Sequence, residues 1–167
     1  SLIEQDKNFQ NELYYLQSTP LIREVVNDMD MRISYFQQED KIPKELEFSL
    51  KNIYKSSPFI VIPNEDHVQP VYANFYVKIM DEERFFIALE SKSTSILDFT
   101  DEMVVAQGVP LNFSGTYKFG EQIESDYYSF KILLNSNYNP SRFQDKDLFF
   151  RFNNLQIVAG VVKGSLT

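Results

Sequence analysis

The sequence predicts an α+β fold: an N-terminal helix pair and a C-terminal helix around a short-stranded, mainly antiparallel β sandwich or curved sheet. Three observations predict it. Apolar residues recur at helical spacing in the first thirty positions and again after Asn153. Between Ser57 and Asn153, short runs of alternating apolar and polar residues follow one another, separated by turn residues, as in a sandwich. The chain has 167 residues, fifteen Phe and ten Tyr but only five Gly, enough to bury a real core.

Residues 4–17 read as a first helix with Phe9, Leu13 and Leu16 on one face. Residues 20–29 read as a second, where Leu21, Ile22, Val25, Val26 and Met29 form a buried stripe. Ser18-Thr19-Pro20 divides them: a hydroxyl at Ser18 or Thr19 accepts from a free N–H, and Pro20 suits a first turn. Ile33-Ser34-Tyr35-Phe36 turns β-like, and the polar segment from Gln37 to Lys44, with Pro43, is a loop. Glu45 to Tyr54 fits two periods. Leu46, Phe48 and Leu50 alternate as in a strand, whereas Leu46, Leu50, Ile53 and Tyr54 fit a helix; the strand is preferred.

Pro58-Phe59-Ile60-Val61-Ile62-Pro63 is bounded by prolines, which suits an edge strand. Val71 to Met80 and Arg84 to Glu90 alternate on either side of the polar turn Asp81-Glu82-Glu83, a hairpin pattern. Further strands are expected near Ser95–Thr100, Met103–Ala106, Leu111–Phe119, Tyr127–Asn135 and Leu148–Asn153. Gln107-Gly108-Val109-Pro110, Gly120-Glu121 and the Asn135 to Asp147 stretch, which carries Pro140, are the breaks. Asn153 or Asn154 can cap a last helix with Leu155, Ile157, Val158 and Val161 as its apolar positions. The expected organisation is thus a helical part over 1–56, a β-rich part over 57–153 and a returning helix with the start of a strand over 154–167, joined in one compact unit.

Composition excludes several classes. A net charge of −8 disfavours duplex nucleic acid, whose binding rests on Lys and Arg neutralising phosphates. The absence of cysteine excludes disulfides and thiol catalysis and leaves the compartment open. No apolar run approaches the ~20 residues of a membrane helix, and no signal-peptide pattern is present. Because the chain opens within a pattern at Ser1-Leu2-Ile3-Glu4 and closes on Gly164-Ser165-Leu166-Thr167, a piece of a longer protein is expected.

Candidate chemistry is sparse. His67, the one histidine, follows Asn64-Glu65-Asp66, but a typical zinc set needs further His or Cys, so it reads as a loop residue. Asp81-Glu82-Glu83 and Asp98, Asp101 and Glu102 are clustered acids. A glycosidase holds two carboxylates facing across a sugar, whereas neighbouring acids in a turn diverge into water. Gly115-Thr116-Tyr117-Lys118-Phe119-Gly120 carries two glycines, yet Phe113, Tyr117 and Phe119 alternate as in a strand, unlike a phosphate loop. Tyr14, Tyr15, Tyr35, Tyr54, Tyr72, Tyr76, Tyr117, Tyr127, Tyr128 and Tyr138 could stack on sugars; most read as half-buried sheet residues with a wet hydroxyl. No catalytic, cofactor-binding or metal-binding residue is assigned, and no cofactor is expected.

Four stretches, in order along the chain, carry a family resemblance. Glu12 to Val26, with Leu16-Gln17-Ser18 ahead of a short helix, resembles a segment of Wzz-type polysaccharide chain-length regulators. Ile53-Tyr54-Lys55-Ser56-Ser57-Pro58-Phe59-Ile60-Val61 and Tyr117-Lys118-Phe119-Gly120-Glu121-Gln122-Ile123 resemble segments of the Bacteroidetes-type determinants. Phe149-Phe150-Arg151-Phe152-Asn153-Asn154, an apolar helix and Gly164-Ser165-Leu166 resemble the return to the regulator core.

The resemblance implies a periplasmic region of a bacterial inner-membrane polysaccharide co-polymerase. The family has a transmembrane helix at each end, a coiled coil beyond the present C-terminus and, in many relatives, a cytoplasmic tyrosine autokinase. Its fold joins helices to a sheet that takes strands from both sides of the coiled coil. It also implies function by assembly: ring-like homo-oligomers, working with a polymerase or export machinery, set the length of capsule, O-antigen or exopolysaccharide chains. Membrane contact would come only through the flanking helices, and no kinase motif lies in these residues. The expectation is therefore a non-enzymatic scaffold domain. A carbohydrate-binding β module, with glycan as partner, and a sugar-processing enzyme are the alternatives.

Overall fold

A computed structural model of the chain describes residues 32–39 and 50–154. Its strands are β1 (Ile33–Gln38), β2 (Leu50–Asn52), β3 (Phe59–Pro63), β4 (Val68–Val71), β5 (Phe75–Ile79), β6 (Arg84–Asp98), β7 (Met103–Lys118), β8 (Gln122–Glu124), β9 (Ser129–Leu134) and β10 (Leu148–Phe152). One short helix, α1 (Pro140–Phe143), lies between β9 and β10.

The expected α+β class is therefore corrected. Of the described residues 60 % are in strands and 4 % in helix, so this part of the protein is mostly β. The physical reason is that β1, β5, β6 and β10 follow two-residue alternation with one row of side chains inward, while β3 and β9 are short apolar runs buried along most of their length. The expected helices over 4–17 and 20–29 lie outside the described residues, as do the residues of the expected C-terminal helix from Leu155 onward. The one helix described falls in the stretch read as a turn-rich break. Asn139 caps it, its Oδ1 accepting from Ser141 N at 3.0 Å, and Pro140 opens it.

Seven strands form a large sheet with β2, β1 and β10 side by side, then β4 and β5, then β6 and finally β7. β4 and β5 lie along the same side of β6, pairing with its two ends, and both touch β10. Both run antiparallel to β6, while β10 meets β4 at one parallel pair and β5 in antiparallel register; between them, at Tyr72–Asn74, Tyr72 takes a left-handed φ of 60°. Three strands, β3, β9 and β8, form a small antiparallel sheet. β3 pairs only with β9 among the described residues, so the proline-bounded run is an edge strand.

The longest correction in register concerns β6 and β7. The sequence suggests four short strands here; the protein makes two long ones. Polar residues Ser91 to Thr94 and the Gly108-Val109-Pro110 stretch are absorbed as register shifts rather than ends. Gly108 supplies a φ of 68° at little steric cost, and Pro110 is tolerated because β7 is an outer strand.

The two sheets meet face to face through aromatic rings. Phe75 and Phe150 of the large sheet stack at 4.6 Å, and Phe130 of the small sheet meets them edge-on at 5.3 and 5.5 Å. Phe59 packs on Tyr35 at 5.4 Å and on Phe150 at 6.1 Å. Two polar clips cross this apolar layer. Val61 N donates to Tyr35 Oη at 3.0 Å, linking β3 to β1. The buried Gln69 amide exchanges two hydrogen bonds with the Ser129 backbone, donating to its carbonyl and accepting from its N–H. A side chain thus stands in for a strand partner, and both backbone groups are satisfied inside the core.

Candidate functional site

The expected acidic clusters turn out to be turn-formers. Asp81 Oδ1 accepts from Glu83 N and Arg84 N, each at 2.8 Å, and these bonds, that from Glu83 foremost, hold its carboxyl below the usual range. Asp98 Oδ1 accepts from Thr100 N at 2.9 Å and Asp101 N at 3.4 Å, closing the β6–β7 hairpin. His67 Nδ1 lies 2.8 Å from the Val68 carbonyl oxygen, and no cluster among the described residues has the donors for a metal ion. Gly115 to Gly120 occupy the end of β7 and its turn into β8, a strand–turn–strand setting rather than the strand–turn–helix of a phosphate cradle.

A cavity of about 240 Å³ opens beside the β3–β4 turn, lined by Ile62, Pro63, Asn64, Glu65, Asp66, Gln122 and Lys131. Glu65 is committed elsewhere, gripping the Arg32 guanidinium through two bonds of 2.6 and 2.7 Å. Among its described lining residues no nucleophile is paired with a base.

The outer face of the large sheet has a more specific chemistry. Alternation on β1, β10, β5 and β6 turns Phe36, Phe149, Tyr76 and Phe86 away from the core, where each is half-buried. They touch in series: Phe36 is paired in register with Phe149, Phe149 meets Tyr76 at 5.5 Å, and Tyr76 meets Phe86 at 6.1 Å. The Tyr76 hydroxyl donates to Asp147 Oδ1 at 2.6 Å. Burial first, then that carboxylate, raises the phenol above its ordinary range, so it stays protonated.

Arg151 lies at one end of this row, two residues from Phe149 on the same face of β10. Its guanidinium carbon sits 4.8 Å from the Phe36 ring centre and 5.9 Å from that of Tyr72. Its Nε is closed off from solvent and has no hydrogen-bond partner. Tyr72 is 46 % exposed, and Asn154 N donates to its hydroxyl at 3.4 Å.

The tyrosines therefore divide. Tyr35 is core, Tyr54, Tyr117, Tyr128 and Tyr138 are half-buried, Tyr72 and Tyr127 are exposed, and Tyr76 belongs to the outer row. Tyr14 and Tyr15 lie outside the described residues. The sequence reading missed Arg151, although the Phe149-Phe150-Arg151-Phe152 alternation already places it opposite to the buried Phe150 and Phe152. No protein-family model matches the chain, and no curated protein or solved structure is significantly similar to it.

Proposed function

We propose that this chain is a non-catalytic scaffold domain of a polysaccharide co-polymerase, acting by assembly of protomers to set the length or export of a bacterial glycan. Its place would be the periplasmic side of the inner membrane, with a polymerase or export machinery as partner. The observation that carries the reading is the resemblance of four ordered sequence stretches to Wzz-type regulators. Where described, Ile53 to Val61 run into β3, Tyr117 to Ile123 form the β7–β8 turn, and Phe149 to Asn154 run along β10 and past its end.

A second reading, a glycan-binding β module, is favoured by the aromatic row and Arg151 on the outer sheet face. The test of the leading reading is deletion of the encoding gene in its host, followed by gel analysis of surface polysaccharide. A shifted or lost modal chain length, restored by the full-length gene, is expected. An unchanged length distribution would overturn the scaffold reading.

A further inference from the structure

We infer that the outer face of the large sheet around Arg151 binds a carboxylate-bearing sugar of an acidic glycan. The inference deepens the polysaccharide reading above and rests on it for the choice of a glycan ligand.

The first argument is electrostatic. The chain has 24 acidic and 16 basic residues, so carboxylates outnumber the cations able to pair with them. Arg32 is bound by Glu65 and Arg84 by Asp81. Among the described residues Arg151 has no carboxylate and no hydrogen-bond partner, although it is half-buried and its Nε is shut off from water. A guanidinium carries five donors in a planar fork, and a desolvated donor without an acceptor is costly. Nε is out of a ligand's reach, so the donors left for one are the two terminal nitrogens; their matching acceptor is planar and charged and engages both through two oxygens, which describes a carboxylate.

The second argument is shape. The Phe36 and Tyr72 rings flank the guanidinium and hold it by cation–π attraction, leaving its charge unneutralised. Tyr72 occupies a left-handed backbone conformation that bulky residues avoid, and so presents an exposed ring next to that charge. An aromatic face beside a cation suits a sugar ring whose substituent is an acid. Ser34, opposite Arg151 in register, places a hydroxyl at the same end, its Oγ accepting from the buried Asn153 amide at 2.8 Å. From there the row Phe36, Phe149, Tyr76 and Phe86 crosses four neighbouring strands. At ~4.8 Å per strand it spans about 15 Å, which suits an oligosaccharide rather than a single sugar.

The experiment titrates the 167-residue chain by calorimetry with a galacturonic acid hexamer, its fully methyl-esterified form and a glutamate hexapeptide. Saturable binding of the acidic sugar is expected, at least tenfold tighter than either the ester or the peptide. Arg151→Ala should weaken it at least tenfold, and Arg151→Lys several-fold, because an ammonium cannot form the fork. Amide shift mapping on the unaltered chain guards against a variant that folds poorly; shifts at Ser34, Phe36, Tyr72 and Arg151 are expected. Absence of binding at millimolar sugar, equal binding of the ester, shifts confined to another face, or equal binding of the peptide would each overturn the inference. The last would make an acidic protein segment the ligand. The scaffold reading is tested separately, by glycan length in the deletion strain, and can stand if this site fails.

Discussion

Phe75 is the residue whose loss the architecture should feel most. It lies on β5 with no exposed surface, stacked on Phe150 at 4.6 Å with the ring planes 4° apart. Four further rings surround it, Phe113 at 6.0 Å, Tyr128 at 6.5 Å, Phe130 at 5.3 Å and Phe152 at 5.9 Å, so both sheets contribute. Truncating a buried Phe to Ala costs about 3–5 kcal/mol, and aromatic pairs add ~0.5–1.5 kcal/mol each beyond burial. The pair energies share atoms and cannot be summed, but they place Phe75→Ala at the upper end, about 4–5 kcal/mol. Domains of this kind are stable by only about 5–15 kcal/mol, so a large fraction would be lost.

Urea unfolding followed by tyrosine emission is a direct assay, since the chain has ten Tyr and no Trp. With a urea slope of ~2 kcal/mol per molar, the midpoint should fall by about 2 M. Phe75→Leu, which refills much of the space, should cost about 1–2 kcal/mol. A loss below about 1 kcal/mol for the alanine variant, at unchanged slope, would refute the idea that the two sheets meet on this ring.

Three further outcomes are expected. Tyr76→Phe removes the 2.6 Å bond to Asp147 and should cost about 1 kcal/mol near neutral pH, the site being partly solvated. Because the folded phenol titrates above the unfolded value of about 10, its contribution is complete below pH ~10 and lost as pH rises beyond it. Melting temperatures across pH 9 to 12 should therefore fall less steeply in the variant, and an equal slope would contradict the assignment. Tyr72→Gly should be more stable than Tyr72→Ala by about 1 kcal/mol in chemical unfolding, since both lose the ring but only glycine accepts a φ of 60° freely. Asp81 has a depressed carboxyl, so its stabilisation is present above the unfolded value near 4 and lost as pH falls through the folded one. Asp81→Asn, which keeps an acceptor for Glu83 N and Arg84 N, should flatten the acid limb of a melting-temperature series between pH 2 and 5.

Much of the β architecture was legible because it rests on period-two alternation. The Asp81-Glu82-Glu83 hairpin turn, the β1 segment from Ile33 and the proline-bounded edge strand at Phe59–Pro63 follow from local chemistry alone. The joining of β6 and β7 into long strands was not legible. Whether Gly108-Val109-Pro110 ends a strand or bends one depends on the neighbour across the ladder, which is a tertiary fact. The α+β class gives way to a mostly β one because the described residues follow strand periodicity, while the segments with helical periodicity lie outside them. For the candidate site, aromatic alternation pointed to sugar contact in general terms. Arg151 stayed invisible because what marks it is the absence, among the described residues, of a carboxylate beside it in three dimensions, and sequence shows only that acids are plentiful.

The placement of β10 has a kinetic consequence. β1 pairs along its length with β10, Ile33 opposite Phe152, and β10 also bonds β5 on its other side. The strand at the middle of the large sheet is thus the last strand of the described chain to be synthesised. Until it exists, β1 has only the short β2 beside it, and one edge of β5 stays open. Closing a loop of more than a hundred residues adds entropy cost only logarithmically, but pairing strands so far apart in sequence is a step that tends to slow folding. During that interval two unfilled edges and the aromatic rows of β5 and β1 face solvent, the condition under which nascent chains pair with the wrong partner. Arrival of Leu148 to Phe152 completes both the sheet and its protection, so a chain cut before residue 148 would be left with an open groove where its central strand belongs.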